Sequence, residues 1–255
     1  ISKRFSSSFN EFGIELFSLS AALFLFLGMI LALYMISIFK KDQNINIDNA
    51  GGGSFDAIKN SLRVSDIRNI AIYVWIWTAL MTIQWITAIN IVEGWSQNSE
   101  QRLRFFATIE QVISPLTLVV QLFLTNVIIK KVGIKNILIS YGILFCLAFM
   151  MYGLIPSIIS VAIVTIFLRI FEYGINKPTR ETIFSTLSKN DRYKSSVFID
   201  TFISRFGDLS GSGFIAIGKI TSIAANSFPL VAIPIAGLLS LFGVKISNKT
   251  QLKDL

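Results

Sequence analysis

Residues 199 to 213, IDTFISRFGDLSGSG, place two acids and one base inside a stretch that otherwise resembles a membrane helix. On a helix, Arg205 and Asp208 are three residues apart and share a face, so they can form an ion pair. Asp200 lies about 80° from Asp208 around the axis, with Ser204 between them. An ionised group at membrane depth normally faces protein or a wet cavity. The stretch therefore predicts a charged element of a solute pathway, a pair that locks two helices together, or both.

The same helix carries closely spaced small residues. Gly207 and Gly211 form a small-xxx-small pattern, which Ser210, Ser212 and Gly213 extend. Such a pattern lets another helix, or a ligand, approach the backbone closely. We expect helix packing on this face, with ligand approach as the alternative.

A second polar stripe lies on the helix predicted at 107–129. Glu110 and Gln121 are eleven residues apart, which places them about 20° from each other around the axis. A polar stripe on a membrane helix most often faces the bundle interior. Glu110 lies about one turn into the span, so a gating role and a binding role both fit it.

A basic segment follows the helix predicted at 156–175. Arg169 and Glu172 lie three residues apart near its end, and Pro178 is expected to end or kink the helix. The segment forms a basic collar of Lys177, Arg180, Lys189, Arg192 and Lys194. The collar indicates either contact with anionic lipid on the cytoplasmic side or capture of an anionic solute by arginine forks.

The composition indicates which solvent surrounds these helices. Of 255 residues, 53% are hydrophobic and 15% charged, whereas a soluble domain is nearer a quarter charged. The chain has no histidine, one cysteine (Cys146), and neither a P-loop, a GxGxxG motif nor a nucleophile elbow. The net charge of +8 is explained by basic cytoplasmic loops. We expect an all-α polytopic membrane protein that is no enzyme, with no catalytic residues, no metal, no cofactor and no nucleic-acid partner.

Seven apolar stretches are long enough to cross a hydrocarbon layer of about 30 Å. They are 17–39, 69–92, 107–129, 136–154, 156–175, 196–221 and 226–244. When lysines and arginines are counted on alternating sides, one side outnumbers the other by roughly three to one. This bias places the polar segment after the first stretch, and the C-terminus, in the cytoplasm.

These stretches predict a division of the chain into four parts. Residues 1–39 would be the last helix of an N-terminal bundle whose other helices lie upstream, and 40–68 a cytoplasmic linker. Residues 69–244 would be a C-terminal six-helix transmembrane bundle, and 245–255 a cytoplasmic tail. This is the organisation of the second half of a twelve-helix transporter. An unrelated seven-helix membrane protein is the alternative.

Residues 176–213 resemble the ATP/ADP translocase family of bacteria and plastids, and more closely its bacterial major-facilitator-like relatives. In that family an RP-x-RE turn precedes a YK-x-K…IDT…YR-x-GD helix. Residues 105–133 also resemble the family's eighth helix, with Glu110 where an acid is usual. The matching positions are Pro178, Arg180 and Glu181 in the turn, Tyr193 and Lys194 after it, and Asp200, Arg205, Gly207 and Asp208 in the helix.

The resemblance implies the C-terminal half of a major-facilitator-like fold and secondary transport by alternating access in a bacterial inner membrane. It implies a small polar or anionic solute, nucleotides among them, and two further partners: the lipid bilayer and the N-terminal bundle of the same polypeptide. Asp208 stands where the nucleotide exchangers are expected to carry a lysine, and an acid there weakens attraction to phosphate. The alternatives are a non-transporting scaffold or receptor with a degenerate transporter fold, and a membrane enzyme acting on lipids.

Two groups of residues are predicted to carry transport. The substrate pathway is predicted to consist of Arg205, Asp208, Asp200, Lys194, Glu110 and Gln121. The cytoplasmic gate is predicted to consist of Arg180, Glu181, Lys177, Arg169 and Glu172.

Overall fold

The computed structural model describes residues 19–35, 37–38, 65–185, 189–221 and 228–249, without the side chains of 66, 189–191, 193, 194 and 247–249. These residues are almost entirely helical, and none of them lies in a strand. The predicted all-α class is therefore confirmed for the described part of the chain. The chain separates into two compact units, Ile1–Gly51 and Gly52–Leu255.

The first unit contributes one described helix, α1, Leu19–Met35. It lies within the stretch predicted at 17–39, and none of its residues is charged. Its large apolar side chains are exposed, as expected for a helix whose surroundings are lipid or further protein.

The described residues of the second unit form six helices. Four follow in order: α2 is Ser65–Trp95, α3 is Ser99–Val132, α4 is Ile134–Leu154 and α5 is Ile158–Ser185. The next, α6, comprises Lys189–Phe198, a π-helical turn Ile199–Ile203, and Ser204–Ile220. The last, α7, comprises Phe228–Val231 and, after Ala232, Ile233–Lys249.

Five of the described helices, α2, α3, α4, α5 and α7, are long and apolar enough to cross a membrane. This is compatible with an integral membrane protein. The sequence predicted seven spans. The remaining two, α1 and α6, are too short or not apolar enough to count among the five. Helix α1 is shorter than the five. Helix α6 covers the predicted span 196–221, but Arg205, Asp208 and a run of glycines and serines lower its hydropathy.

Helix α2 lies at the centre of the second unit. It contacts α4, α5, α6 and α7, while α4 packs on α7 and α3 packs on α5. The largest fully buried side chains come from α2 and α4: Tyr73, Tyr141, Phe145, Phe149 and Tyr152. The bundle is therefore held together around an aromatic core, and α3 lies at its periphery beside α5.

The predicted packing of a helix on the small residues of α6 is confirmed, and the partner is α2. A Cβ added to Gly207 would lie 2.7 Å from the Trp75 carbonyl oxygen. A Cβ added to Gly211 would lie 2.5 Å from the Ala79 carbonyl oxygen. The two backbones approach so closely that only glycine fits at these positions.

Pro178 does not end the fifth span, because α5 continues through it to Ser185. A π-helical turn, Glu172–Asn176, precedes the proline, and the Lys177 N–H donates to the Glu172 carbonyl five residues back. Pro178 has no N–H, so it leaves carbonyls of the preceding turn without a helical donor. The longer helix also places Arg169 and Glu172 near its middle rather than near its C-terminal end.

Side chains of α3 supply the missing donors. Gln121 Nε2 donates to the Tyr173 carbonyl at 2.9 Å, and Thr125 Oγ1 donates to the Gly174 carbonyl. An N–H at position 178 would reach the Tyr173 carbonyl with π-helical spacing, five residues back, or the Gly174 carbonyl with α-helical spacing, four residues back. The break in the α5 ladder is therefore satisfied by a neighbouring helix rather than by water.

This arrangement predicts a coupling between Thr125 and Pro178. Replacing Thr125 with valine is expected to lower the free energy of unfolding by about 1 kcal/mol, since the Gly174 carbonyl loses its donor. In a Pro178→Ala background the loss should be smaller, because the alanine N–H can donate to the same turn. Equilibrium unfolding in mixed micelles of the unchanged protein, the two single variants and the double variant measures the coupling energy. An equal cost of Thr125→Val in both backgrounds would contradict this account.

Candidate functional site

An ion pair joins α3 to α5 at the edge of the bundle. Arg169 Nη1 lies 3.3 Å from Glu110 Oε1, and their side chains are 26% and 47% exposed. The guanidinium also lies 5.7 Å from the ring centroid of Trp85 on α2, which is within the range of a cation–π contact. Three helices therefore converge on Arg169.

The second ion pair is the one that the sequence predicts on α6. Arg205 Nη1 lies 3.2 Å from Asp208 Oδ2, so the predicted pairing is confirmed. Asp208 Oδ1 also accepts a hydrogen bond from Thr82 Oγ1 of α2, at 3.0 Å. Asp208 is half-buried by these contacts, whereas the Arg205 side chain is exposed. The carboxylate is thus held by two helices.

A cleft of about 250 Å³ is lined by one member of the first ion pair and by a residue that contacts the second. Thr82 and Arg169 both belong to its wall, and each of them contacts an acid on a neighbouring helix. Thr82 lies about 26 Å along α2, whose 31 residues span about 46 Å, so the cleft is near mid-depth of the bundle. The described residues that line it are Met81, Thr82, Gln84, Trp85, Arg169 and Tyr173.

The chemistry of the cleft is that of a polar binding site. It presents a guanidinium, a hydroxyl, an amide and two aromatic rings, which is the mixture of apolar wall and few polar groups that small-molecule sites use. Within the described ranges, no three Asp, Glu, Cys or His side chains come together as a group that could hold a metal ion.

A third ion pair is buried within the bundle. Arg180 Nη2 donates to Glu172 Oε1 at 3.0 Å, and their side chains are only 6% and 2% exposed. Asn176 Nδ2 donates to the second carboxylate oxygen of Glu172 at 2.7 Å. The Arg180 guanidinium lies over the Trp77 ring, 4.3 Å from its centroid. Two residues of the predicted gate therefore form a charge-neutral cluster that fastens α5 to α2.

The other predicted site residues lie apart from these clusters. Gln121 donates a hydrogen bond to the α5 backbone, at the Tyr173 carbonyl. Lys177 and Glu181 are exposed on α5, and Asp200 is exposed in the π-helical turn of α6. Lys194 belongs to α6, but its side chain lies outside the described residues.

The structure does not divide the residues into the two predicted groups. Arg169, predicted in the gate, pairs with Glu110, predicted in the pathway. The predictions also omitted the α2 residues of the site, Thr82 and Trp85. The signal for them was available, because Thr78, Thr82 and Trp85 are spaced four and three residues apart and share one face of α2. Tryptophan on a membrane helix is usually attributed to anchoring at the lipid interface, and that explanation distracts from its place in a stripe of site residues.

Comparisons of the chain with protein-family models, with curated proteins and with solved structures find no match in any of the three.

Proposed function

We propose that this chain forms the C-terminal bundle of a membrane transporter that moves a small polar or anionic solute by alternating access. The observation that carries the proposal is the cleft with its two partly exposed ion pairs near mid-depth. A charged group facing lipid at the centre of a bilayer costs about 2.5–3.5 kcal/mol, so this face requires protein or water against it. A second bundle of the same polypeptide, enclosing a wet central site, meets that requirement.

The distribution of exposed residues supports the proposal. Helices α4 and α7 expose apolar side chains such as Leu147 and Leu241, which suit lipid. The exposed charges of the two ion pairs lie on α3, α5 and α6. Helices α3, α5 and α6 also expose large apolar side chains, such as Phe123, Phe167 and Leu209, so the charges form local polar patches on an otherwise apolar surface. Polar patches at this depth are what a bundle needs where it lines a wet pathway.

The fold that we propose is therefore major-facilitator-like, in a bacterial inner membrane and with a cytoplasmic C-terminus. Nucleotides are among the anionic solutes that arginine forks bind. A closed scaffold would have no need for a polar cleft at this depth, and a receptor would not open such a cleft to both sides of the membrane in turn.

Alternating access predicts that position 173 meets water from both sides of the membrane in turn. Tyr173 lines the cleft, so we expect Tyr173→Cys, in the complete polypeptide with Cys146 and any other cysteine replaced by serine, to react with an impermeant maleimide from either side. Leu147→Cys is the control, since Leu147 faces outward on α4 and should react from neither side. Proteoliposomes with reagent added outside or trapped inside provide the measurement. Labelling of position 173 from one side alone, under every condition, would refute the proposal.

A further inference from the structure

The wall of the cleft carries one charge, and it is positive. Of the six described residues that line the cleft, Arg169 is the only ionised one. Trp85 and Tyr173 supply flat rings, and Thr82 and Gln84 supply polar groups. A guanidinium beside aromatic rings suits a solute that combines a carboxylate with a flat ring, because the carboxylate can accept two parallel N–H bonds while its ring packs on an aromatic face.

The positive charge of Arg169 is shared with a residue outside the cleft wall. Glu110 holds the guanidinium at 3.3 Å, and both side chains are partly exposed, so an entering anion and Glu110 compete for the same donors. At the other end of the cleft, the hydroxyl of Thr82 donates to the Asp208 carboxylate. The two ion pairs together bring two carboxylates and two guanidiniums, so they add no net charge. A solute with several negative charges would find no excess of cations here, which disfavours a polyphosphate by Coulomb's law.

The size of the cleft points in the same direction. At about 250 Å³ it is smaller than the sites of about 300–1,000 Å³ that hold drug-sized ligands. A single-ring acid fits within this volume, and the second bundle would supply the other half of the site.

Resting on the proposed function, we propose that the cleft selects small monoanionic aromatic carboxylates, and that Glu110 is an internal counter-ion which the carboxylate of the solute displaces from Arg169. Glu110 is then a specificity-determining residue that lowers the affinity for the anion and speeds its release. A site whose arginine lacked this competitor would hold its anion more tightly and release it more slowly.

The test is the binding of radiolabelled benzoate to the complete polypeptide in nanodiscs, by scintillation proximity. Glu110→Gln keeps the shape of the side chain and removes the competing charge, so the Kd should fall about two- to fivefold. Arg169→Gln should abolish saturable binding. The matched control is Glu100→Gln, because Glu100 pairs with Arg104 on the same helix without lining the cleft, and its Kd should equal that of the unchanged protein.

Unlabelled competitors define the solute class. Benzoate should displace the label better than acetate, which lacks the ring, and better than ATP or benzylammonium. An unchanged or raised Kd in Glu110→Gln would overturn the counter-ion role, and this comparison does not depend on Arg169→Gln folding. Stronger displacement by ATP or benzylammonium would overturn the solute class.

The two proposals fail in different ways. Two-sided labelling at position 173 with no saturable benzoate binding overturns this inference and leaves alternating access in place. Saturable benzoate binding that Glu110→Gln tightens, together with labelling from one side only, supports the inference and refutes transport.

Discussion

Replacing Arg180 with methionine is expected to lower the free energy of unfolding by about 3–5 kcal/mol, because it leaves the Glu172 carboxylate buried without a cation. Arg180 Nη2 donates to that carboxylate at 3.0 Å, and neither side chain is accessible enough for solvent to take the place of the other. The variant also loses the contact of the guanidinium with Trp77. Equilibrium unfolding in mixed micelles measures the change.

The chain offers a matched control for this variant. Arg104 forms an exposed pair with Glu100, so Arg104→Met should change the free energy of unfolding by at most about 1 kcal/mol. The double variant Glu172→Gln/Arg180→Met should cost less than Arg180→Met alone, because a neutral glutamine can still accept the hydrogen bond from Asn176. A cost for Arg180→Met no larger than that of the control would show that the pair contributes nothing to stability.

Replacing Gly207 with alanine is expected to destabilise the bundle by about 1–3 kcal/mol, the usual range for overpacking. The new methyl group would lie 2.7 Å from the Trp75 carbonyl oxygen, and a backbone carbonyl cannot rotate away as a flexible side chain can. Helix α6 must therefore move away from α2. That movement lengthens the hydrogen bond from Thr82 to Asp208, so the effect extends to the cleft.

The comparison variant for this prediction lies on the same helix. Gly213→Ala places its methyl group where no atom of a neighbouring element lies within 4 Å, so stability should not fall and can rise by at most about 1 kcal/mol from helix propensity. Unfolding of both variants under the same conditions tests the prediction. Equal stabilities would mean that α2 and α6 separate at no cost, which contradicts the close packing of the two backbones.

The features of the fold and site that the sequence predicted are the local ones. The apolar lengths of the helices, the Arg205–Asp208 pair and the small residues of α6 all depend on spacings within one helix. Spacing of this kind is independent of how the helices are arranged. These features could therefore be predicted without knowing that α2 is the helix that packs against α6.

The contacts that the sequence could not predict depend on helix rotation. Glu110 and Arg169 are distant in the chain and meet only because α3 packs on α5. Glu172 and Arg180 are eight residues apart, which separates them by about 80° on a regular α-helix. The π-helical turn Glu172–Asn176 accommodates one extra residue, so the two behave as if seven apart, about 20° from each other. Spacing alone gave no sign of that turn.

The low hydropathy of α6 has a consequence for how the protein is made. A translocon releases a segment into lipid according to how apolar it is, and charged residues near the centre of a helix oppose that release. Helix α2 is synthesised earlier and presents the Thr82 hydroxyl and the surface that fits Gly207 and Gly211. We therefore expect the entry of α6 into the bilayer to require that α2 is already there, so that the order of the helices along the chain is also their order of assembly.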